Sequence, residues 1–218
     1  MIKKGNQTIC AIYKGSTPIE KIYKGGVLVW KSKQGELPYG YTQIDYIEST
    51  GTQYIDTGYI PVQNDEFEIK NITSSVDNDA AIISAGTGTY QLIILQVQQS
   101  GTYYKYFATG NAAHFNQSGY DNSTIVLNKD GEIYVDGNLK TTSYYGGGVN
   151  SSLNIFRRAN DTSYFVGRIG ELIITNNNIE KRHFIPCYRN SDNEVGLYDI
   201  VNNTFYTNAG AGTFTKGN

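Results

Sequence analysis

The chain is short of charge. Only 17% of its 218 residues are charged and the formal net charge is -2. That leaves no electrostatic case for nucleic acid or a membrane surface, both of which call for a strong basic excess. Histidine is nearly missing: His114 and His183 are the only two, and neither has a companion at metal-ligand spacing. Two cysteines, Cys10 and Cys187, fall in segments of different character. Two reduced thiols of a protein made in a cytosol are expected, not a disulfide framework. No apolar run approaches the ~20 residues of a membrane span. Lys3-Lys4 could mimic a basic leader, but polar Gly5 to Thr8 stand where an apolar run is needed. Helical patterning is almost absent, with residues 178–182 the one stretch suited to a turn. There is no GxSxG, no glycine-rich loop feeding a helix and no zinc cluster, so serine hydrolysis, nucleotide binding and metal hydrolysis lack support.

What is present is glycine, tyrosine and small polar residues. With 24 Gly and 19 Tyr, the composition suits many short strands with exposed turns, and tyrosine can be half buried while its hydroxyl stays wet. This much aromatic content argues against disorder.

Residues 1–33 read as a separate module. Ile12-Tyr13-Lys14-Gly15 recurs ten positions later as Ile22-Tyr23-Lys24-Gly25. Three short strands are expected, over residues 8–14, 18–24 and 27–30, joined by glycine turns. So small a sheet buries too little apolar surface to stand alone. It should dock on its own sandwich, a neighbouring copy or another protein. Ile12, Tyr13, Ile22, Tyr23, Val27 and Trp30 are the candidate assembly contacts. Residues 32–37 form a polar linker, and residues 37–218 a second domain.

That domain reads as strand after strand. Residues 65–72 alternate Phe67 and Ile69 with Glu66, Glu68 and Lys70, giving one wet face. Further strands are expected at 80–85, 90–97, 103–107, 125–127, 132–135, 139–142 and 153–157. Asp130-Gly131 and Asp136-Gly137 signal hairpins. From 165 to 174 a single extended segment puts Phe165, Gly167, Ile169, Glu171 and Ile173 on one side. Val166, Arg168, Gly170, Leu172 and Ile174 take the other, as in a strand buried on both faces. Gly167 and Gly170 imply a bulky group close over the backbone, or a bend. Asn176 to Asn178 break the run. A strand follows at 182–188, whose Pro186 belongs at an edge or strand end. A hairpin then turns at Asn202-Asn203, between 195–199 and 204–207. Helix-free, with asparagine and glycine turns, this is an all-β, antiparallel jelly-roll sandwich.

The order GRIGELIIT, RHFIPCYR, GLYDIVNNTFYTNAGAGTF, with GTQYIDTGY upstream and NKDGEIYVDGNL between, resembles concanavalin A-like (laminin-G-like) sandwich domains of bacteriophage virion proteins. The resemblance covers residues 37–216. The repeated IYKG and the ending GGVLVW resemble short N-terminal modules on phage structural proteins. Such a fold hosts lectins, hydrolases and inert structural proteins alike.

Three chemistries are then weighed. Glu66 and Glu68 lie roughly 6.5–7 Å apart along one strand face, near the ~5–5.5 Å of a retaining glycosidase pair. The glucanases of the resembled fold carry a third carboxylate, and here Lys70 stands in its place, so a solvated face is expected. Lectins of that fold often hold calcium. Asp77-Asn78-Asp79 and Asp121-Asn122 are the only loops with suitable oxygens, and Asx-rich turns are common without metal. The aromatic loops Tyr103-Tyr104 and Tyr144-Tyr145 could stack on sugar rings, meet a protein partner, or simply pack.

The reading that results is a non-enzymatic virion structural protein without cofactor or metal. It docks through residues 1–33 on capsid or tail subunits, as a homo-oligomer in the particle, and displays a lectin-like sandwich. A capsid-surface decoration or head-fibre role is expected. A tail-associated receptor or host-glycan binder is the alternative, and a glycoside hydrolase the more distant one.

Overall fold

The structure, a computed structural model, describes residues 3–4, 7–8, 12–14, 17–19, 21–25, 27–31, 37–74, 80–86, 92–97, 103–108, 111–116, 120–142, 149–159 and 163–217. Residues 3–31 hold six short strands: β1 (Lys3–Lys4), β2 (Gln7–Thr8), β3 (Ile12–Lys14), β4 (Thr17–Ile19), β5 (Lys21–Lys24) and β6 (Val27–Lys31). They form three separate two-stranded ribbons, β1-β2, β3-β4 and β5-β6. This corrects the expected three-strand module. The pairs Lys4↔Gln7, Lys14↔Thr17 and Lys24↔Val27 close three hairpins at intervals of ten residues, not one three-strand sheet. Gly25, at φ 57°, takes the left-handed conformation that lets the chain reverse.

The remaining strands are β7 (Tyr41–Gln43), β8 (Ile47–Thr50), β9 (Ile55–Asp56), β10 (Asp65–Ser74), β11 (Ala80–Ala85), β12 (Leu92–Val97), β13 (Tyr103–Ala108), β14 (Asn111–Asn116), β15 (Tyr120–Leu127), β16 (Glu132–Val135), β17 (Asn138–Thr142), β18 (Asn154–Ile155), β19 (Val166–Ile169), β20 (Leu172–Asn176), β21 (Ile179–Arg189), β22 (Val195–Asp199), β23 (Thr204–Tyr206) and β24 (Thr215–Lys216). The larger sheet runs β17-β16-β15-β10-β20-β21-β22-β23, with β19, β8 and β24 continuing from β10 and β7 adding to β21. The smaller runs β14-β13-β12-β11-β18-β9. Every pairing is antiparallel, and the described residues contain no helix. The chain is an all-β sandwich of jelly-roll type. β14 and β24 had no counterpart in the sequence reading. Their residues, Asn-Ala-Ala-His-Phe-Asn and Thr-Lys, carry no apolar alternation.

The core lies between the sheets. Phe67, Ile69, Ile125, Leu127, Ile133, Leu172, Ile174 and Phe184 face inward from the larger sheet, and Ile55, Ile83, Leu92 and Ile155 are buried from the smaller. Each full burial of such a side chain contributes about 1.5–3 kcal/mol.

A line of bulges bends the larger sheet and corrects the reading of residues 165–174. The inward residues are Phe165, Gly167 and Ile169, then Leu172 and Ile174. The phase slips at Gly170-Glu171, so Glu171 and Ile173 turn outward. Apolar residues alternate on both sides because the strand breaks in two, not because both faces are buried throughout. β10 slips at the same level, from Ile69 to Ile72 across Asn71 (φ 53°), and β15 from Tyr120 to Ser123 across Asn122 (φ 51°). Three neighbouring strands thus each hold an extra residue, which keeps them in step. Both glycine expectations hold. A Cβ on Gly167 (φ 149°) would lie 2.6 Å from the Phe165 ring, and one on Gly170 would lie 3.1 Å from the Lys70 carbonyl oxygen.

Two further corrections come from β21. Residues 178–182 are not a helical turn: Asn177 (φ 51°) and Asn178 (φ 61°) form a two-residue hairpin link and β21 starts at Ile179. Positive φ at both positions is what a type I′ turn requires, and asparagine tolerates it. Pro186 is not at an edge or strand end. It lies within β21, opposite Leu197 of β22. Its carbonyl accepts from the Ile44 N–H at 3.0 Å, so its nitrogen faces the same way, past the end of β20, which pairs only as far as Phe184. The missing donor falls opposite Ile44, one residue past the β7 ladder, which ends at Cys187↔Gln43.

Candidate functional site

The two phrases that bracket the sandwich meet at one place. Gln53, buried, accepts at Oε1 from the Thr50 N–H (2.8 Å) and donates from Nε2 to the Thr213 carbonyl (3.2 Å). Asn208 accepts from the Tyr54 N–H at 3.1 Å and donates to the Gly212 carbonyl at 2.8 Å. The Ala209 N–H donates to the Tyr54 carbonyl at 2.8 Å. Gly210 is required because a Cβ there would run into the Thr52 carbonyl oxygen. Side-chain amides thus replace ladder bonds between irregular segments, and GTQY and TNAGAG form one locked surface.

An aromatic ledge stands on it. Arg157 lies 4.5 Å over the Tyr54 ring and 5.9 Å from that of Tyr164, and the two rings are 6.1 Å apart. All three residues are half-buried. Phe156, at φ 68°, holds a backbone conformation unusual for a bulky residue. Its buried ring stacks on Phe165 at 6.2 Å, which anchors the chain where Arg157 turns out. Rings beside a guanidinium can pack on sugar faces and pair with anionic groups. A second such cluster joins Tyr41, Tyr198 and Phe205, with Arg189 5.4 Å over Phe205. Arg189 also holds the Asp192 carboxyl below its usual range through a 2.6 Å ion pair. Neither cluster was legible in the sequence, because Tyr54 and Tyr41 each lie more than 100 positions from the other members.

The outer face of the larger sheet carries the titratable groups. Glu66, Glu68 and Lys70 share that face of β10, as expected. Lys70 Nζ lies 3.0 Å from Glu171 and 4.0 Å from Glu68. His183 follows, with Nε2 3.6 Å from Glu171 and Nδ1 2.6 Å from Glu180. Glu180 reaches it because β21 slips by one residue at Lys181, pairing Glu180 with Thr175 while Arg182 pairs with Ile174. The result is an alternating row of acid and base. Lys70 sits between Glu68 and Glu171 and compensates both, an arrangement unlike a free nucleophile beside a protonated acid. Among the described residues no group of three or more His, Cys, Asp or Glu is placed to hold a metal ion.

The other candidates fall as follows. Tyr103 and Tyr104 are not in a loop, and this is corrected: they lie in β13, opposite Asn116 and Phe115 of β14. Asp121-Asn122 is not a loop either. It is the bulge of β15, where Asn122 accepts from Arg168 at 2.8 Å and its N–H donates to Thr73 at 3.1 Å. Tyr144, Tyr145, Cys10 and Asp77 to Asp79 lie outside the described residues. Ile12 and Tyr13 are in β3, Ile22 and Tyr23 in β5, and Val27 and Trp30 in β6, so the assembly candidates lie in two hairpins, β3-β4 and β5-β6. His114 is in β14, opposite Lys105.

No family model matches the chain, and no curated protein matches it. Solved structures do. One is the crystal structure of a "putative carbohydrate binding protein" from Bacteroides ovatus, superposing with a TM-score of 0.55 at 15% identity. The match covers 81% of this chain and 61% of that one. At that identity the likeness is one of fold: the chain shares a β-sandwich with a protein described as binding carbohydrate.

Proposed function

We propose that the chain is a non-catalytic structural component of a bacteriophage particle, docking through residues 1–33 and displaying the sandwich. The observation that carries this is the pairing of β1 to β6. Among the described residues, each of these strands has a partner only within its own hairpin. A lone two-stranded hairpin is marginal in water, so the module calls for a surface to complete it. The resemblance to phage virion domains supplies the setting, and capsid-surface decoration is the role that suits a sandwich displayed on such a module. Deletion of residues 1–33 should leave a folded sandwich that no longer joins particles. Particles that still incorporate the truncated protein would overturn the reading.

Glycan binding is the second reading, supported by the ledge of Tyr54, Arg157 and Tyr164 and by the description of the neighbouring fold. It predicts that Tyr54→Ala and Tyr164→Ala abolish retention on a glycan array while the melting curve stays within a few degrees of wild type. Retention unchanged in both variants would sink it. Turnover of sugar polymers is not part of either reading, since Glu68, one of the two candidate carboxylates, is paired with Lys70.

A further inference from the structure

Residues 2–11, 12–21 and 22–31 read IKKGNQTICA, IYKGSTPIEK and IYKGGVLVWK. Four positions are kept in all: isoleucine first, lysine third, glycine fourth and a β-branched aliphatic eighth. The structure matches the period. The pairs Lys4↔Gln7, Lys14↔Thr17 and Lys24↔Val27 repeat one register every ten residues. The module is three copies of one hairpin, each with a lysine at its turn, and Lys14 and Lys24 are exposed. Repeats of this kind cannot each bury a face alone.

The charge is segregated to match. Residues 1–33 hold seven lysines and a single acid, Glu20, a net +6, so residues 34–218 carry -8 of the chain's net -2. Between two copies, arm against arm and body against body both oppose like charges. Arm against body is the one attractive pairing.

We propose that the hairpin array of one copy docks on the acidic sandwich of a second copy, the three turn lysines making the electrostatic contact. This rests on the docking reading above and names its partner. Such a contact is heterologous and builds a ring or an open array, not a two-fold dimer.

Sedimentation velocity of the full-length protein tests it, at about 0.05 M and about 1 M salt, where the screening length falls to about 3 Å. Assemblies are expected at low salt and monomers at high salt. The triple variant Lys4→Glu, Lys14→Glu, Lys24→Glu should be monomeric in both, with roughly tenfold or greater weakening and an unchanged sandwich melt. The triple Lys→Arg variant should assemble as wild type does. A wild type monomeric at low salt overturns the proposal, as does assembly of the Glu variant, or assembly only after duplex DNA is added. If the wild type is monomeric yet the deletion of 1–33 is still lost from particles, the second-copy partner fails and docking stands. If the deleted protein enters particles, docking itself fails.

Discussion

Cys187 shows what burial alone does to a side chain. It lies in β21 with no exposed surface, and desolvation raises its thiol to about 12. In an unfolded chain a cysteine ionises near ~8.5. Below that value both states hold the proton and the buried thiol's contribution to the fold is intact. As pH rises from ~8.5 toward 12 only the unfolded chain can release the proton, so that contribution drains away, by about 1.4 kcal/mol per pH unit. In a Cys10→Ser background, the urea midpoint should therefore fall more between pH 8 and pH ~10.5 than it does once Cys187→Ala is added. Equal falls would show that the thiol ionises freely in the folded protein. The same burial predicts no alkylation at pH 8 until denaturant is added.

At the scale of elements, what could be read from the sequence was what is local. Asp136-Gly137 and Asn202-Asn203 turn where their chemistry says, with Asp136 at φ 51° and Asn203 at φ 54°. Asn177-Asn178 is the sharpest case. A β-branched residue at Asn178 cannot adopt φ 61° without strain, so Asn178→Val should cost about 1–3 kcal/mol. Asn178→Gly should be neutral or mildly stabilising in the same thermal melt. A valine variant as stable as wild type would mean that the link can take another form. What could not be read was phase. One added residue at Asn71, at Asn122, at Gly170-Glu171 and at Lys181 reverses which side chains face out, and each looks in sequence like more of the same strand. That is why Glu171 and Glu180 were not foreseen beside His183, and why Asp121-Asn122 looked like a loop. The ledge was hidden for another reason. Tyr54, Arg157 and Tyr164 come together through the pairing of Ile55 in β9 with Ile155 in β18, 100 positions apart, and the bridge Arg157↔Tyr164.

At the scale of the whole molecule, the sandwich closes on itself. Its buried cluster begins at Ile44 and ends at Phe214, and β24, near the end of the chain, pairs with β8, near the start of the domain. Such long-range pairing slows folding, since β8, β10 and β24 find their partners only when distant strands arrive. The hairpins of residues 3–31 enter none of these pairings among the described residues. Their lysine-rich sequence places positive charge beside an acidic body without adding to its sheets. Removing them therefore takes no ladder bond from the sandwich. A chain of residues 37–218 should melt in one transition, within about 3 °C of the full-length protein, which corresponds to a change under ~1 kcal/mol for a domain of this size. A much larger loss, or a broad transition, would mean that the hairpins are bound into the sandwich core. The docking module would then be part of the fold it was taken to extend.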